Sequence, residues 1–520
     1  MAETEEVDRI SNLPDALLSE ILSLLSTKEA VATSILSKRW EYIWTEVPVL
    51  DFSYSKDKLS SNFTTFVNRV LILNDAPVIR LFRLNLYQED DEEIEDMHVW
   101  SWIRNTMRRD VLEIDVICGT PEARGLVSEK LKVLKLRCPL KGSRLLYSFP
   151  ILSILHLEFC YIEDHDSMNN IWSGLPCLNE FLLYHCHGLQ NLRIQSSSLK
   201  RLTVAGTLFR MEGLVIIEAP SLEYISIEDQ VYCCEFDINI PSLVEADIDI
   251  CGMIDGISAA EFLKHFHSMK TLNLMIPTPL AVMVDAQMQP LFPELTCLDV
   301  RTMCYLSQNL HIILLFQMCQ HAPNLVSLKY KIESRTMEES PSLPNVVPKC
   351  FSSTLKAIDV DNFRGTFADN AVIEYILQHA IVLKCAPNIV SFDYFSSKDG
   401  KYGTNVRLGD YLPHLGQLNL EEFLPHLANL EEYQPQLPAH STLPKCMFPT
   451  LEVVNASLLD VADTDKILLE YLLNNAVNLK VVRIKLKGSN VVENTMDAII
   501  GWLNEVPRAS SECKLVVSPP

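Results

Sequence analysis

The phrases PILSILHL at 150–157, PSLEYISI at 220–227 and PELTCLDV at 293–300 decide the fold of this 520-residue chain. Each begins with proline, has Leu two residues later, and places apolar residues three and five positions beyond that Leu. Alternate residues of a strand point to opposite sides, so each phrase predicts a strand with one buried face. The same step recurs in PCLNEFLL from Pro176, PSLVEADI from Pro241 and PNLVSLKY from Pro323, and without proline in LKVLKL from Leu131, LKRLTV from Leu199 and MKTLNL from Met269.

The spacing of these phrases predicts one repeat body. Successive phrases are mostly 21 to 30 residues apart, which is the period of a solenoid turn. The pattern is similar to leucine-rich repeats, which implies an α/β solenoid with a parallel sheet on its concave face. We predict this body over residues 111–345, after a linker and first helical or capping region at 53–110. Proline is expected at the first strand position, where its missing donor lies outside the ladder.

Three short helices are predicted in residues 9–50. Pro14 suits the first position of the first helix, and Ser26 with Glu29 has the capping-box spacing that starts a second. A third helix would carry Trp40 and Trp44 one turn apart. Three short helices bury little among themselves, so the surplus apolar side chains, both tryptophans included, imply a partner surface. The apolar stripe of the first helix is formed by Leu17, Leu18, Ile21, Leu22 and Leu25.

The string TSILSKRW at 33–40, with Leu13-Pro14-Asp15 before it and Trp44 after it, resembles the F-box of plant proteins. We assign residues 1–52 to this three-helix F-box. The resemblance implies binding to a small Skp-type adaptor and, through it, to a cullin and a RING subunit. The alternative is that the stripe is only the core of a three-helix cap. The residues carried over as contact or framework positions are Leu13, Pro14, Leu17, Ile21, Leu22, Leu36, Arg39, Trp40 and Trp44.

The C-terminal third contains a duplication. PKCFSSTLKAIDV from Pro348 returns as PKCMFPTLEVVNA from Pro444, an offset of 96, and APNLVSLKY from Ala322 returns as APNIVSFDY from Ala386, an offset of 64. The second copy and its ending PRASSECKLVV resemble the FBD domain, which in plants often follows an F-box and leucine-rich repeats. We therefore predict a first FBD-like copy at 346–385. Residues 386–520 would hold a repeated opening phrase, an insertion and the C-terminal FBD domain.

Composition excludes several classes of partner. Lys and Arg total 44 against 67 for Asp and Glu, a net charge of −23, so nucleic acid is not an expected partner. The acidic N-terminus and the lack of an apolar run of about 20 residues predict neither a secretory signal nor a membrane span. The 15 cysteines are scattered without Cys-x-x-Cys spacing, which favours a reducing compartment over disulfides or a zinc-binding RING. We expect a cytoplasmic and/or nuclear protein.

Motifs for catalysis are missing from the sequence. It has no Gly-x-Ser-x-Gly elbow, Gly-rich phosphate loop or His-Glu-x-x-His, so we predict no enzyme, catalytic residue, cofactor or metal. Cys186 lies between His185 and His187, but a strand offers no further nearby ligand there. Cys160 and Cys186 instead occupy the position where leucine-rich repeats commonly carry Asn or Cys, which indicates a structural role.

Strand alternation also predicts a target-binding face. With Leu243 and Ile248 inside, Glu245, Asp247 and Asp249 point outward. The strand before them offers Tyr224 and Glu228, and the outer strands offer a basic set. The alternative is a solvated face without a ligand. The basic set is Lys135, Arg137, Arg301, Lys329 and Lys331.

Two functions fit these features. The first is a substrate-recognition adaptor that holds a target protein while another subunit transfers ubiquitin. The second is a leucine-rich-repeat scaffold or ligand receptor that binds the Skp-type adaptor without promoting degradation. Ubiquitylation of a captured partner that depends on the F-box would separate them.

Overall fold

The structure, a computed structural model, divides into two compact units, Met1–Leu243 and Val244–Pro520. In the first unit it describes residues 10, 13–54, 60–86, 96–118, 126–138, 146–162, 171–189, 191–206, 214–228 and 235–243. In the second unit it describes residues 244–249, 262–277, 291–303, 310–332, 343, 346–363, 372, 375–376, 379, 389–396, 402–409, 417–420, 453–458, 473–474, 479–486, 501–502 and 505–518.

Two short α-helices begin the first unit. Helix α1 spans Asp15–Leu22, and Pro14 is its N-cap instead of its first residue. Helix α2 spans Thr27–Ala32 and starts with the predicted capping box. The Glu29 N–H donates to Ser26 Oγ at 3.4 Å, and the Ser26 N–H donates to Glu29 Oε2 at 3.1 Å. Hydrogen bonds from the Ser26 side chain and backbone lower the pKa of Glu29 because they favour its charged form.

The prediction that one third helix carries both tryptophans is wrong, because only Trp44 lies in a helix. The chain forms two 3-10 helices, Thr33–Ile35 and Ile43–Glu46, and Trp40 lies in the turn between them. The Thr33 hydroxyl donates to the Ala30 carbonyl at 2.7 Å, a side-chain bond that competes with continued helix. The turn points Trp40 inward, where its side chain is 6% exposed. The core around it contains Leu18, Leu22, Ala30, Ile43 and Val47.

The repeat sheet begins earlier than the sequence suggested. Strand β1, Val49–Ser53, pairs in parallel with β2, Leu81–Asn85, and β2 pairs with β3, Glu113–Ile117. Helices α3, Ser60–Leu73, and α4, Asp96–Met107, occupy the intervals between these strands. Residues 53–110, predicted as a linker and capping region, therefore contribute strand-and-helix repeats to the same sheet.

The parallel strands of the first unit confirm the leucine-rich-repeat fold. The main sheet has the order β1-β2-β3-β5-β7-β8-β10-β12, and alternate residues are buried in every strand of it except β10 and β12, where neighbouring residues are buried as well. Strands β9, β11 and β13 form a second parallel sheet, and β4 pairs with β6. The remaining bounds are β4 Leu126–Val127, β5 Val133–Arg137, β6 Leu146–Ser148, β7 Ile154–Glu158, β8 Glu180–Tyr184, β9 Leu192–Gln195, β10 Arg201–Ala205, β11 Leu214–Glu218, β12 Tyr224–Glu228 and β13 Glu235–Asn239.

The prolines of the repeat phrases were expected at the first position of each strand. They lie before the strands instead. Pro150 precedes Ile154, the first residue of β7, and lies in a turn closed by a bond of 3.2 Å from the Leu152 N–H to the Phe149 carbonyl. Proline suits the second position of such a turn because its φ is already fixed. The same bond recurs from Leu178 to Leu175, Leu222 to Ala219, Leu243 to Ile240, Leu295 to Phe292 and Leu325 to Ala322.

The second unit contains a parallel series followed by an unpredicted antiparallel strand. The parallel series is β14-β15-β16-β17-β18. Strand β20 pairs antiparallel with both β18 and β19, and β19-β21-β22-β23-β24 are again parallel. Helices Leu310–His321 and Lys349–Ser353 meet through Phe316 and Phe351, whose ring centroids are 5.9 Å apart. The strands are β14 Glu245–Asp249, β15 Thr271–Pro277, β16 Cys297–Met303, β17 Ser327–Ile332, β18 Ala357–Phe363, β19 Ile389–Ser396, β20 Tyr402–Gly409, β21 Gln417–Leu420, β22 Val453–Leu458, β23 Val481–Leu486 and β24 Lys514–Ser518.

The two FBD-like copies contain strands at equivalent positions. Strand β18 begins at Ala357 and β22 at Val453, which preserves the offset of 96 seen in the sequence. The ending PRASSECKLVV leads into β24. The start of the second copy, Pro444, Lys445 and Cys446, lies outside the described residues.

Candidate adaptor-binding and target-binding surfaces

Large apolar side chains are exposed on the N-terminal helical unit. Leu17 and Ile21 are 52% and 43% exposed, and their spacing puts them side by side on α1. Leu36 is 65% exposed just beyond the first 3-10 helix, and Pro14 is exposed at the start of α1. Single exposed apolar side chains are ordinary, but a concentration of them on so small a unit is typical of an interaction surface.

Two strongly exposed residues of this unit were missed by the sequence analysis. Leu24 is 85% and Ile35 is 87% exposed. Leu24 lies three residues after Ile21, so extending the α1 stripe by one step could have identified it. Ile35 had no such signal, because its exposure depends on the 3-10 geometry. We call Leu17, Ile21, Leu24, Ile35 and Leu36 the apolar face.

The other predicted adaptor residues form the framework beneath this face. Leu22 and Trp40 are buried, and Leu13 and Trp44 pack partly buried against the same core. The Arg39 guanidinium donates to the Leu13 carbonyl and, at 2.6 Å, to an Asp15 carboxylate oxygen. Arg39 thus ties the turn before Trp40 to the segment that starts α1.

Hydrogen bonds fix the helical unit to the first repeats. Arg80 forms a two-pronged ion pair with Glu20 of α1 at 3.1 and 3.2 Å. The buried Asn74 donates from Nδ2 to the Val47 carbonyl at 2.9 Å, and its Oδ1 accepts from Arg109 at 2.7 Å. A buried amide bonded on both sides costs free energy to break. The apolar face is therefore held in one orientation relative to β1 and β2.

The candidate target residues fall in both units, and Tyr224 and Glu228 belong to the first. Both occupy outward positions of β12, as predicted: Tyr224 is half-buried and Glu228 exposed. The guanidinium carbon of Arg201 lies 4.1 Å from the centroid of the Tyr224 ring. A cation from the same sheet thus already covers the aromatic residue expected to anchor a target.

The three candidate carboxylates lie in the second unit. Glu245, Asp247 and Asp249 are half-buried on β14 and alternate with the buried Ala246 and Ile248. Their outward orientation matches the prediction. In register with them on β15 are Thr271, Asn273 and Met275.

The predicted basic flanks carry carboxylates beside their cations. Arg137 bonds to Glu158 on the next strand at 2.5 Å. Arg301 lies 3.5 Å from Asp299. Lys329 is in register with Asp299 on one side and Asp359 on the other, so the predicted basic set has carboxylates close to its cations.

Cys160 and Cys186 are buried and bonded to the backbone. The Cys160 thiol donates to the Glu158 carbonyl at 3.5 Å, and the Cys186 thiol donates to the Leu157 carbonyl at 3.3 Å. The hydrogen bond with the Cys160 thiol lowers the pKa of Cys186, and burial acts in the opposite direction. These bonds fit a structural role. Within the described residues, no group of three or more His, Cys, Asp or Glu side chains could hold a metal ion, and no helix there is long and apolar enough to cross a membrane.

A helical unit with an apolar face, joined directly to a parallel repeat sheet, defines an F-box protein with leucine-rich repeats. Family models support each part. The F-box domain model matches residues 10–52, and the model of the LRR repeats of FBD-associated F-box protein At5g56370 matches residues 100–246. The FBD model matches residues 343–386, which is the first of the two copies predicted here.

Relatives from Arabidopsis thaliana share this architecture. An FBD-associated F-box protein is 30% identical over 405 residues, covering 73% of this chain and 90% of the relative. An F-box/FBD/LRR-repeat protein is 32% identical over 399 residues, covering 73% and 92%. F-box/LRR-repeat protein 13 is 30% identical over 417 residues, covering 73% and 89%. The chain belongs to the F-box/FBD/LRR-repeat protein family, and its F-box implies binding to a Skp-type adaptor.

Proposed function

We propose that the chain is the substrate-recognition subunit of an SCF-type (Skp-cullin-F-box) ubiquitin ligase. The observation that carries the proposal is the apolar face, which lies on a matched F-box and leaves large aliphatic side chains open to a partner. The Skp-type adaptor covers this face and links the chain to a cullin and a RING subunit. The chain performs no catalysis, uses no cofactor or metal, and acts in the cytoplasm and/or nucleus without nucleic acid or a membrane as partner.

The junction between F-box and repeats supports this role mechanically. Ubiquitin transfer by another subunit requires the target to be held at a reproducible distance from that subunit. The Glu20–Arg80 ion pair and the Asn74 amide bonds restrict rotation of the F-box about the first repeats. A target bound to the first repeats therefore keeps a fixed position relative to the adaptor, which favours transfer through proximity.

Reconstituted ubiquitylation tests the proposal. The full-length chain, Skp-type adaptor, cullin and RING subunit are combined with proteins that co-purify with the chain. We expect a captured protein to be ubiquitylated when the wild-type chain is present. We expect no ubiquitylation when Leu17 and Leu36 of the apolar face are changed to aspartate. Deleting residues 1–50 is a poor alternative because it removes part of β1 and the Val47 partner of Asn74. Adaptor binding without transfer to any captured protein would favour the scaffold or receptor function.

The target-binding face remains a proposal in two parts, Tyr224 with Glu228 and Glu245 with Asp247 and Asp249. We infer that basic segments of a target dock on the carboxylates, since complementary charge sets specificity and association rate. Changing Asp247 and Asp249 to Lys should reduce recovery of bound targets at least tenfold, measured by quantitative mass spectrometry, while the adaptor stays bound.

The matched control for this charge reversal is Glu235→Lys, on an exposed position of the second sheet, which should leave target recovery unchanged. Equal target recovery from the Asp247/Asp249 variant and the wild-type chain would count against the carboxylate face.

A further inference from the structure

Three aromatic rings cluster at the carboxyl ends of β7 and β8. The rings of Phe159 and His185 are nearly parallel, at 15°, with centroids 5.2 Å apart. Tyr184 meets both rings edge-on, at 5.7 Å from Phe159 and 4.4 Å from His185. Phe159 is 47% and Tyr184 36% exposed, so this group, the aromatic stack, presents open ring surface to solvent.

The backbone of the aromatic stack is strained. Phe159 and His185 have φ of +55° and +49°, and Gly206 holds the same position after β10 with φ of +57°. All three N–H groups extend the parallel ladder by donating to the last carbonyl of the next strand. Glycine adopts this left-handed conformation freely, whereas bulky side chains resist it.

The neighbouring glycine makes room for the stack. A Cβ atom at Gly206 would lie 2.6 Å from both Cε1 and Nδ1 of His185, so any larger residue would displace the ring. Strained residues that the surroundings hold in place are concentrated at binding sites. The repeats therefore hold Phe159 and His185 in a costly conformation that exposes stacked aromatic surface.

The charge of the chain indicates what the aromatic stack binds. Arg201 over Tyr224, at 4.1 Å, shows that an outward ring of this same sheet accepts a guanidinium face-on. The net charge of −23 attracts cations to the chain. Arg137, on the strand before β7, is paired with Glu158 at 2.5 Å, which offsets its repulsion of a second cation.

We propose that the aromatic stack binds an Arg or Lys side chain of a partner protein through cation–π contact. The identification of that partner as a ligase target rests on the proposed function, but the binding itself does not. The exposed parts of Phe159 and Tyr184 supply the ring surface, and His185 contacts both rings, stacked on Phe159 and edge-on to Tyr184.

Peptide binding to the full-length chain tests the proposal. The probe is a fluorescein-labelled nonapeptide of Gly, Ser and three Arg, and its matched control has citrulline, which is planar but uncharged, at the Arg positions. Fluorescence anisotropy at 0.15 M salt should show binding of the Arg peptide and much weaker binding of the citrulline peptide. Changing Phe159 and Tyr184 to Leu should lower the affinity for the Arg peptide about 3- to 30-fold. Phe159→Tyr, which keeps a ring, should bind as the wild-type chain does.

Two controls make the outcome decisive. Tyr161→Leu removes a tyrosine that is 37% exposed and lies outside the aromatic stack, and it should bind normally. Phe159→Gly relieves the left-handed strain, so it should unfold at an unchanged or higher temperature while losing affinity. Equal binding of both peptides, or unchanged affinity in the Leu variant, would overturn the proposal. Reconstituted ubiquitylation is measured in parallel on the same variants, so failure of the ligase function is detected separately from failure of peptide binding.

Discussion

Replacing Leu17 and Leu36 with aspartate is expected to abolish capture of the Skp-type adaptor by the full-length chain. The two side chains are 52% and 65% exposed, so aspartate is hydrated in the free chain and little folding energy is lost. In a closed apolar interface each carboxylate would be buried without a partner, at a cost of several kcal/mol. Since each 1.4 kcal/mol is tenfold in Kd, affinity should fall at least about 100-fold.

The measurement is co-elution and titration calorimetry with the purified adaptor. Ile72→Asp provides the matched control, because Ile72 is 78% exposed on α3, outside the F-box match. It should keep wild-type affinity. If the Leu17/Leu36 variant captured the adaptor as tightly as the wild-type chain, the adaptor would bind elsewhere and the assignment of the apolar face would be wrong.

The strands could be predicted from sequence because their signal is local. Leu155 and Leu157 of β7, or Phe181 and Leu183 of β8, alternate with outward residues within a few positions, and all four are buried as expected. Strand β2 was missed although its residues follow the same phrase with Ile in place of Leu: Pro77 is followed by Ile79, Phe82 and Leu84, and all three apolar residues are buried. Strand β20 was missed because nothing in its own residues distinguishes an antiparallel insertion from a loop.

The candidate surfaces were predicted less completely, since exposure depends on contacts between distant segments. Helical periodicity identified Leu17 and Ile21 but placed Trp40 on a helix, whereas the turn between the two 3-10 helices directs Trp40 into the core. The pairing of charged side chains across strands could not be predicted from the sequence either. Arg83 bridges Asp51 and Asp115, each 32 residues away, at 3.1 and 3.2 Å, and only strand register brings such residues together.

The stability of the F-box itself is expected to depend on Trp40. Changing Trp40 to Ala should cost about 3 to 5 kcal/mol, because a large buried side chain leaves a cavity that a small unit cannot refill. Repeat proteins are stabilised mainly through neighbouring repeats, so the loss should stay local. Hydrogen exchange should therefore accelerate for the amides of residues 15–46 and remain slow for β7, β8 and β10.

Two further variants distinguish a loss of F-box stability from the loss of a direct contact with the adaptor. Trp40→Phe refills most of the cavity and should restore most of the exchange protection together with adaptor capture. Tyr42→Ala, at a side chain that is 67% exposed, should leave protection unchanged. If Trp40→Ala instead lost the adaptor while exchange in residues 15–46 stayed slow, Trp40 would contact the adaptor directly, and the turn that buries it would have to open on binding. Our expectation is the opposite order: the F-box loses its fold first, and the adaptor is lost because the apolar face no longer exists as one surface.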